Sequence, residues 1–247
     1  MASTEQIQKI KSLAKKGESV NTIEEKLEIP KSTVYYHFKK EVGQKQKEKA
    51  LKIPENPEIK GEICGIFAGD GYVYVRGDGH YEITITLNIR DDYWKQLSRF
   101  FEDKLQKKAQ IVKEEKYGRV RLRYSSKKLY DLFQKNLNWS KEDKTGTVCL
   151  NETEHSHEFK IGFIRGLIDT DGSKDKKYRI YRYGSISESL VKNFCEILDS
   201  LEIENSVHRS KDKRENCRDM FRVKIYGDNA DKFSEIIAPR HPKKQFN

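Results

Sequence analysis

Hydrophobic positions along this 247-residue chain change period several times, and each change marks an element. Ile7, Ile10, Leu13 and Ala14 recur at helical spacing and stop at Gly17, a natural C-cap. Val20, Ile23, Leu27 and Ile29 predict a second short helix. A turn holding Pro30 follows, and Lys31–Val42 reads as a third helix with Val34 and Phe38 facing inward. Short helix, tight turn, then a helix opening on Lys-Ser-Thr is a helix-turn-helix pattern. Residues 43–60 are lysine-rich, hold two prolines and few large apolar side chains, which predicts a tether.

Past Gly71 the period becomes two. Tyr72–Arg76 alternates, and Tyr81, Ile83, Ile85 and Leu87 face one way while Glu82, Thr84, Thr86 and Asn88 face the other. Gly77, Asp78 and Gly79 supply the hairpin turn. Tyr93, Leu97, Phe101 and Leu105 return to helical spacing; Ile111–Lys113 and Arg119–Tyr124 form a second hairpin, and Lys128–Leu137 a closing helix. The second half repeats the series. A helix over Gly162–Asp171 is followed by the strand-like Tyr178–Tyr183 and a helix through Leu190, Phe194, Ile197, Leu198 and Leu201. Strands Ser206–Arg209 and Phe221–Tyr226 and a helix over Asn229–Ile237 complete it. The predicted fold class is α+β: two αββαββα halves related by a pseudo-twofold, preceded by a small all-α domain. The expected boundaries are a helical domain over 1–43, a linker over 44–60, a first half over 61–140, a linker over 141–158 and a second half over 159–247.

The repeat is sharpest in Gly61–Gly71 (GEICGIFAGDG) and Gly162–Gly172 (GFIRGLIDTDG). Gly61, Gly65, Gly69, Asp70 and Gly71 recur as Gly162, Gly166, Thr170, Asp171 and Gly172, each pair 101 residues apart. Small residues four apart leave a flat stripe on a helix, so Gly61, Gly65, Gly69, Gly162, Gly166 and Thr170 are assigned to close packing of two helices. Packed in parallel, those helices bring Asp70 and Asp171 together. Two adjacent carboxylates repel unless a divalent cation compensates them. The candidate metal positions are Asp70 and Asp171, with Gly69 and Thr170 beside them. Hard oxygen ligands suit Mg²⁺, with Mn²⁺ as a substitute, and Mg²⁺ also takes phosphate oxygens and water.

Charge points to the partner. Lys and Arg number 49 against 39 Asp and Glu, a net charge of +10, which favours nucleic acid. No apolar run approaches a membrane span, and no signal-like stretch follows Met1. Cys64, Cys149, Cys195 and Cys217 are widely separated and read as free thiols of a reducing cytoplasm. Cys149, His155 and His157 lack a second cysteine pair and read as linker, not as a zinc site. Strand alternation puts Arg119, Arg121 and Arg123 on one sheet face, and Arg121 and Arg123 recur as Arg222 and Lys224. With Thr84, Thr86, Arg76 and Arg179 they are the candidate DNA contacts of the sheets, since a β-ribbon reaches base edges in the major groove. In the helical domain the candidates are Lys31, Ser32, Thr33, Tyr35, Tyr36 and Lys39.

The twin motifs and the repeated α+β pattern over residues 60–247 resemble a single-chain, two-motif LAGLIDADG homing endonuclease, here with an N-terminal helix-turn-helix. That resemblance implies two four-stranded sheets astride a long, asymmetric double-stranded DNA target, bound by a monomer. It also implies metal-dependent cleavage across the minor groove that leaves short 3′ overhangs and promotes intron or gene mobility. Asp70 and Asp171 occupy the family's metal-binding positions. An additional acidic residue usual two positions earlier is kept as Asp169 but is Ala68 in the first motif. Lys174, three residues beyond Asp171, resembles one of the family's lysines around the scissile phosphates. Asn88 and Ser185 occupy its strand-end positions, and Lys144 with Lys243 or Lys244 resembles a second lysine pair; of the last two, Lys243 is the chosen candidate. Transcription regulators and RNA-splicing maturases also use the fold. Regulators tend to lose the catalytic carboxylates, whereas both are present here. Intein splicing blocks are absent, with Gln245-Phe246-Asn247 at the end of the chain. Action in the cytoplasm of a prokaryotic or archaeal cell is expected.

Overall fold

A computed structural model describes residues 2–42, 51–77, 79–175, 177–211 and 218–245. The tether over 43–50, Asp78 of the hairpin turn, Cys217 and the terminal Phe246-Asn247 lie outside the described residues. The chain forms two compact units, residues 1–50 and 51–247.

In the first unit, α1 (Thr4–Lys15) opens with a capping box: the Ser3 hydroxyl accepts from the Gln6 amide, and the Gln6 side chain accepts from the Ser3 amide. It ends at Gly17, whose φ of +81° lets the Glu18 amide reach back to the Leu13 carbonyl. The short α2 (Val20–Leu27) is capped by Ser19, and α3 (Lys31–Val42) has the predicted limits. Ile10, Ala14, Ile23, Ile29 and Val34 form the core of this unit. Tyr35 and Tyr36 stand more than half exposed on α3.

The second unit begins earlier than expected. Leu51 is buried, the Lys52 amide donates to the Leu105 carbonyl, and α4 (Pro57–Asp70) starts inside the predicted tether. Asn56 caps that helix and proline fills its first position, where its missing amide costs nothing. Next come β1 (Gly71–Val75), β2 (Tyr81–Asn88), α5 (Tyr93–Leu105), β3 (Gln110–Glu114), β4 (Arg119–Ser125) and α6 (Lys127–Asn136). The expected linker over 141–158 is more structured than its composition predicts. It carries β5 (Leu137–Asn138) into α7 (Lys144–Thr147) and β6 (Cys149–Leu150), with Val148 buried. The second half runs α8 (His157–Asp171), β7 (Ser173–Asp175), β8 (Ile180–Ser185), α9 (Glu188–Ser200), β9 (Ser206–Ser210), β10 (Met220–Tyr226) and α10 (Asp228–Ile237).

Each half builds an antiparallel four-stranded sheet, ordered β1-β2-β4-β3 and β7-β8-β10-β9. Within these two sheets, the strand missed from sequence is β7. Ser173-Lys174-Asp175 has no apolar alternation, and pairing with Arg182, Tyr181 and Ile180 of β8 holds it in place. One face of each sheet packs on helices through Ile83, Ile85, Leu87, Val120, Leu122 and Tyr124, or Tyr181, Tyr183, Val223 and Ile225. The opposite faces carry the polar residues of the same strands, as strand alternation requires. No described helix is long and apolar enough to cross a membrane.

Candidate functional site

Helices α4 and α8 lie backbone against backbone, side by side and parallel. A Cβ built on Gly61 would overlap the Phe159 carbonyl, and one on Gly65 the Phe163 carbonyl. One on Gly162 would overlap the Glu58 carbonyl, and one on Gly166 the Glu62 carbonyl. The contact advances in the same direction along both helices and ends where a Cβ on Gly69 would lie 2.8 Å from Asp171 Oδ2. The predicted glycine stripe is therefore the seam between halves, and it sets the Asp171 carboxylate beside the residue preceding Asp70. Thr170, in the glycine position of the second motif, bonds its hydroxyl back to the Gly166 and Leu167 carbonyls. That hydroxyl is committed to the helix.

The two carboxyls feel each other. Asp70 is pushed up to about 7, chiefly by burial and then by the Asp171 charge, with Lys244 and Lys144 pulling the other way. Asp171 is the more solvent-exposed residue and is also raised, by the surrounding protein bulk, against the pull of both lysines. Lys144 Nζ donates to the Ala68 carbonyl at 2.7 Å, at the end of α4. Lys244 Nζ donates to the Ile168, Asp169 and Thr170 carbonyls at 2.8, 2.9 and 3.1 Å, at the end of α8. A cation on the last carbonyls of a helix is favourably placed against its dipole. Burial lowers both ammonium groups to about 8, and the aspartates' negative charge opposes that shift. The counterpart of Lys144 is thus Lys244, not the expected Lys243. Lys243 is largely exposed and pairs with Asp91 at 2.7 Å.

Asp70, Thr86, Asn88, Lys174, Lys243 and Lys244 line one cleft of about 480 Å³. Asn88 accepts the Arg90 amide at 2.9 Å through Oδ1 and closes the turn after β2. Lys174 pairs across the sheet with Tyr181, on the helix-facing side, and its ammonium reaches the Gln245 carbonyl. Ser185 does not match Asn88. Thr86 pairs with Arg121 and Gly184 with Arg222, so Ser185 falls one residue out of phase, on the side of Tyr183.

Sequence singled out Asp169 without its partners and missed a second feature at the seam altogether. Asp169, 2% exposed, accepts the Arg240 amide at 3.0 Å and the His241 amide at 3.1 Å. It anchors the segment that delivers Lys244. In the first half Asp143 caps the short turn that carries Lys144 by accepting the Gly146 amide. The second feature is an ion network that joins the two halves. Glu62, fully buried, meets Arg165 at 3.3 Å and Arg240 at 2.6 Å, and Arg165 also reaches Glu58 at 2.5 Å and the Ile237 carbonyl at 2.6 Å. Its sequence signal is Glu62 in the first motif and Arg165 in the second, each flanked by apolar residues and glycine. Cys64, Cys149 and Cys195 are free thiols, and among the described residues no three His, Cys, Asp or Glu side chains converge on a metal position. His155 stacks on Phe159 with ring centroids 4.4 Å apart.

The sheet candidates are less uniform than their sequence suggests. Arg119 and Arg121 both bind Glu114, at 2.5 and 3.1 Å, and Arg123 lies 3.8 Å from Glu82. Thr84 is buried, paired with Tyr72 on one side and Arg123 on the other. Arg76 is exposed just beyond β1. Arg179 does not sit on a strand: it occupies the turn before β8 at a φ of +49° and ion-pairs with Asp231 of α10, so its charge is directed to the helical layer. Arg222 and Lys224 are exposed, and among the described residues no acidic side chain pairs with them. Register adds Arg182, Tyr72 and Tyr74 to the same open faces.

Residues 158–238 match the family profile of a LAGLIDADG-like domain. No curated protein sequence matches the chain. Among solved structures, mesophilic variants of the homing endonuclease I-DmoI align at 25% identity over 74% of this chain and 97% of theirs, with a TM-score of 0.52. I-DmoI bound to its target DNA in the presence of Mg aligns at 25% identity over 75% of this chain and 98% of that one, with a TM-score of 0.53. Full-length DUF199/WhiA from Thermatoga maritima shares the fold at 14% identity, a TM-score of 0.51, and 76% and 57% coverage. The chain therefore contains a LAGLIDADG-like domain and has an α+β LAGLIDADG fold like that of the single-chain homing endonuclease I-DmoI.

Proposed function

We propose that the unit over 51–247 is a metal-dependent, site-specific double-strand DNA endonuclease. The observation that carries this reading is the meeting of Asp70 and Asp171 at the ends of two helices in backbone contact, one end held by the half-buried Lys144 and the other by the buried Lys244. I-DmoI, whose fold this chain shares, has been seen with target DNA and with Mg, Mn or Ca.

The donor set fits a divalent ion. Two mutually repelling carboxylates supply hard oxygens and too few of them to fill six positions, which leaves room for water and phosphate oxygens. Bound there, Mg²⁺ or Mn²⁺ would activate water and stabilise the leaving 3′ oxygen. The chain's own residues do the rest. Asp70 and Asp171 hold the ionic centre on the pseudo-dyad, one near each scissile phosphate of two antiparallel strands. Lys144 and Lys244 fix the helix ends that carry them and place positive charge beside the phosphates. Asn88 and Lys174 line the wall of the cleft at one of the two positions. Arg222, Lys224, Arg182 and the tyrosines of β1 offer the DNA surface. Cutting across the minor groove with short 3′ overhangs, action as a monomer on an asymmetric site, and a role in intron or gene mobility extend the same reading.

Cleavage selection from a random DNA library with Mg²⁺ tests it. Recovery of one long site cut on both strands is the expected result, and binding without cutting under any divalent ion would overturn it.

The three-helix unit is assigned to flanking DNA, through Ser32, Thr33, Tyr35, Tyr36 and Lys39 at the start and on the exposed face of α3. Deleting residues 1–43 is expected to shorten the nuclease-protection footprint and weaken binding while leaving cleavage chemistry intact. An unchanged footprint would remove the DNA-reading role.

The raised carboxyls give a pH signature. A carboxyl raised by folding favours its neutral form, so its contribution to stability is fully present below the ordinary range near 4 and is lost as pH rises through about 7. The metal-free protein should lose melting temperature over that window and recover it with Mg²⁺, which binds the ionised form. Cleavage should fall on the acid side of about 7, where Asp70 takes up its proton. Calorimetry with and without Mg²⁺ checks the sign, and an unchanged response to Mg²⁺ across pH 5–8 (roughly the span set by a shifted carboxyl) would contradict it.

A further inference from the structure

Both sheets pair some arginines with carboxylates, Arg123 with Glu82 in the first and Arg182 with Asp175 in the second. The contrast between Arg119 and Arg121 on one side and Arg222 and Lys224 on the other traces to one carboxylate. Glu114, the last residue of β3, lies directly across from Arg119. Its Oε2 accepts from Arg119 Nε at 2.5 Å and its Oε1 pairs with Arg121 at 3.1 Å, so both oxygens are occupied, one by each guanidinium. Arg119 also stacks over Tyr117, 4.9 Å from the ring centroid. The Arg119 hydrogen bond holds the Glu114 carboxyl below its usual range. Register shows what the second sheet has instead: Met220 stands for Arg119, and the residue across from it is Ser210. Arg222, the counterpart of Arg121, lies across from His208, is exposed, and has no acidic partner among the described residues.

We propose that Glu114 is a specificity-determining positioning residue: it orients the Arg119 and Arg121 forks for base reading in the first sheet, while Arg222 and Lys224 of the second sheet grip phosphate. The inference rests on the DNA-binding reading above. A guanidinium has five N–H donors in a rigid plane, so each arginine spends one on Glu114 and keeps the others for an acceptor pair such as guanine O6 and N7. Holding the plane in advance removes the rotamer freedom that a long side chain would otherwise lose on binding. One carboxylate between two arginines also cancels part of the charge that attracts any phosphate. Sequence-independent binding is thereby weakened where sequence is to be read.

The full-length wild type, E114Q and E114D are each bound, with Ca²⁺, to a random-sequence duplex library, and bound molecules are sequenced at several salt concentrations. E114Q should bind random duplex more tightly, with a salt slope steeper by about one. It should lose about tenfold of base preference at positions under the first sheet, leaving the other half of the site unchanged. E114D keeps the charge but shortens the reach, so it should hold the wild-type salt slope and still lose the preference; it also serves as the readout if E114Q does not fold. A wild type with base preferences that both variants reproduce overturns the role of Glu114 and leaves the nuclease reading standing. A wild type that neither binds nor selects DNA overturns both. Uniform weakening of E114Q with no change in slope or preference marks a merely structural glutamate and also overturns the proposal.

Discussion

Replacing Asp70 or Asp171 by asparagine is expected to lower double-strand cleavage by about 10³-fold or more, because each substitution removes several kcal/mol of metal-borne stabilisation of the transition state. Binding should survive within a few-fold, since the open sheet faces are untouched. Stability should move the opposite way from most polar core substitutions. Asp70 is raised to about 7 by burial and by Asp171, so its charge is a cost to the metal-free fold at neutral pH. Asparagine keeps the shape and removes that cost, and the metal-free melting temperature should hold or rise. The response to Mg²⁺ should disappear with the activity. Gel cleavage, filter binding and calorimetry on the two single variants and the double variant separate these effects. Mg²⁺-dependent cutting by the double variant would sink the assignment.

The second large effect belongs to the seam. An alanine at Gly65 puts its Cβ into the Phe163 carbonyl and within 3.1 Å of the Gly166 Cα, all backbone that cannot swing aside. The helices must separate, at a cost of about 3 kcal/mol, the upper end for overpacking, or roughly 10 °C for a unit of this size. Catalysis should suffer more than stability, because separation moves Asp70 relative to Asp171, and a misplacement of about 1 Å is enough for a loss of about 10²-fold. Gly166→Ala, which meets the Glu62 carbonyl and the Ile66 amide, should behave alike. Gly77→Ala, with nothing within 4 Å and no positive φ, is the control and should change stability by less than about 0.5 kcal/mol. Equal effects at Gly65 and Gly77 would mean that the seam is not what unites the halves.

The contrast between these positions also shows how far sequence carries. Spacing alone placed Gly61, Gly65, Gly162 and Gly166 at a helix contact, because only residues without side chains tolerate such approach. The repeat at 101 residues put Asp70 and Asp171 in equivalent positions, and strand alternation separated Leu122 and Val223 from Arg121 and Arg222. The three N-terminal helices and most elements of the second unit were visible because helix and strand periods are local properties of consecutive residues.

Tertiary structure decided the rest, because the deciding contacts join residues far apart in the chain. Lys243 and Lys244 are neighbours in sequence, and only the path of the C-terminal segment, tied to Asp169 through the Arg240 and His241 amides, sends Lys244 to the α8 carbonyls and Lys243 to Asp91. Arg119, Arg121 and Arg222 look alike until cross-strand register sets Glu114 beside the first two and leaves the third exposed. Arg179 reads as a strand residue until the backbone turns at it and Asp231 takes its charge. The chain's own periodicities thus fixed most of its elements, and its repeat the equivalence of Asp70 and Asp171. Which charges stand free, and which serve other charges, depended on long-range packing, since electrostatic partnership is set by distance in space and not along the chain.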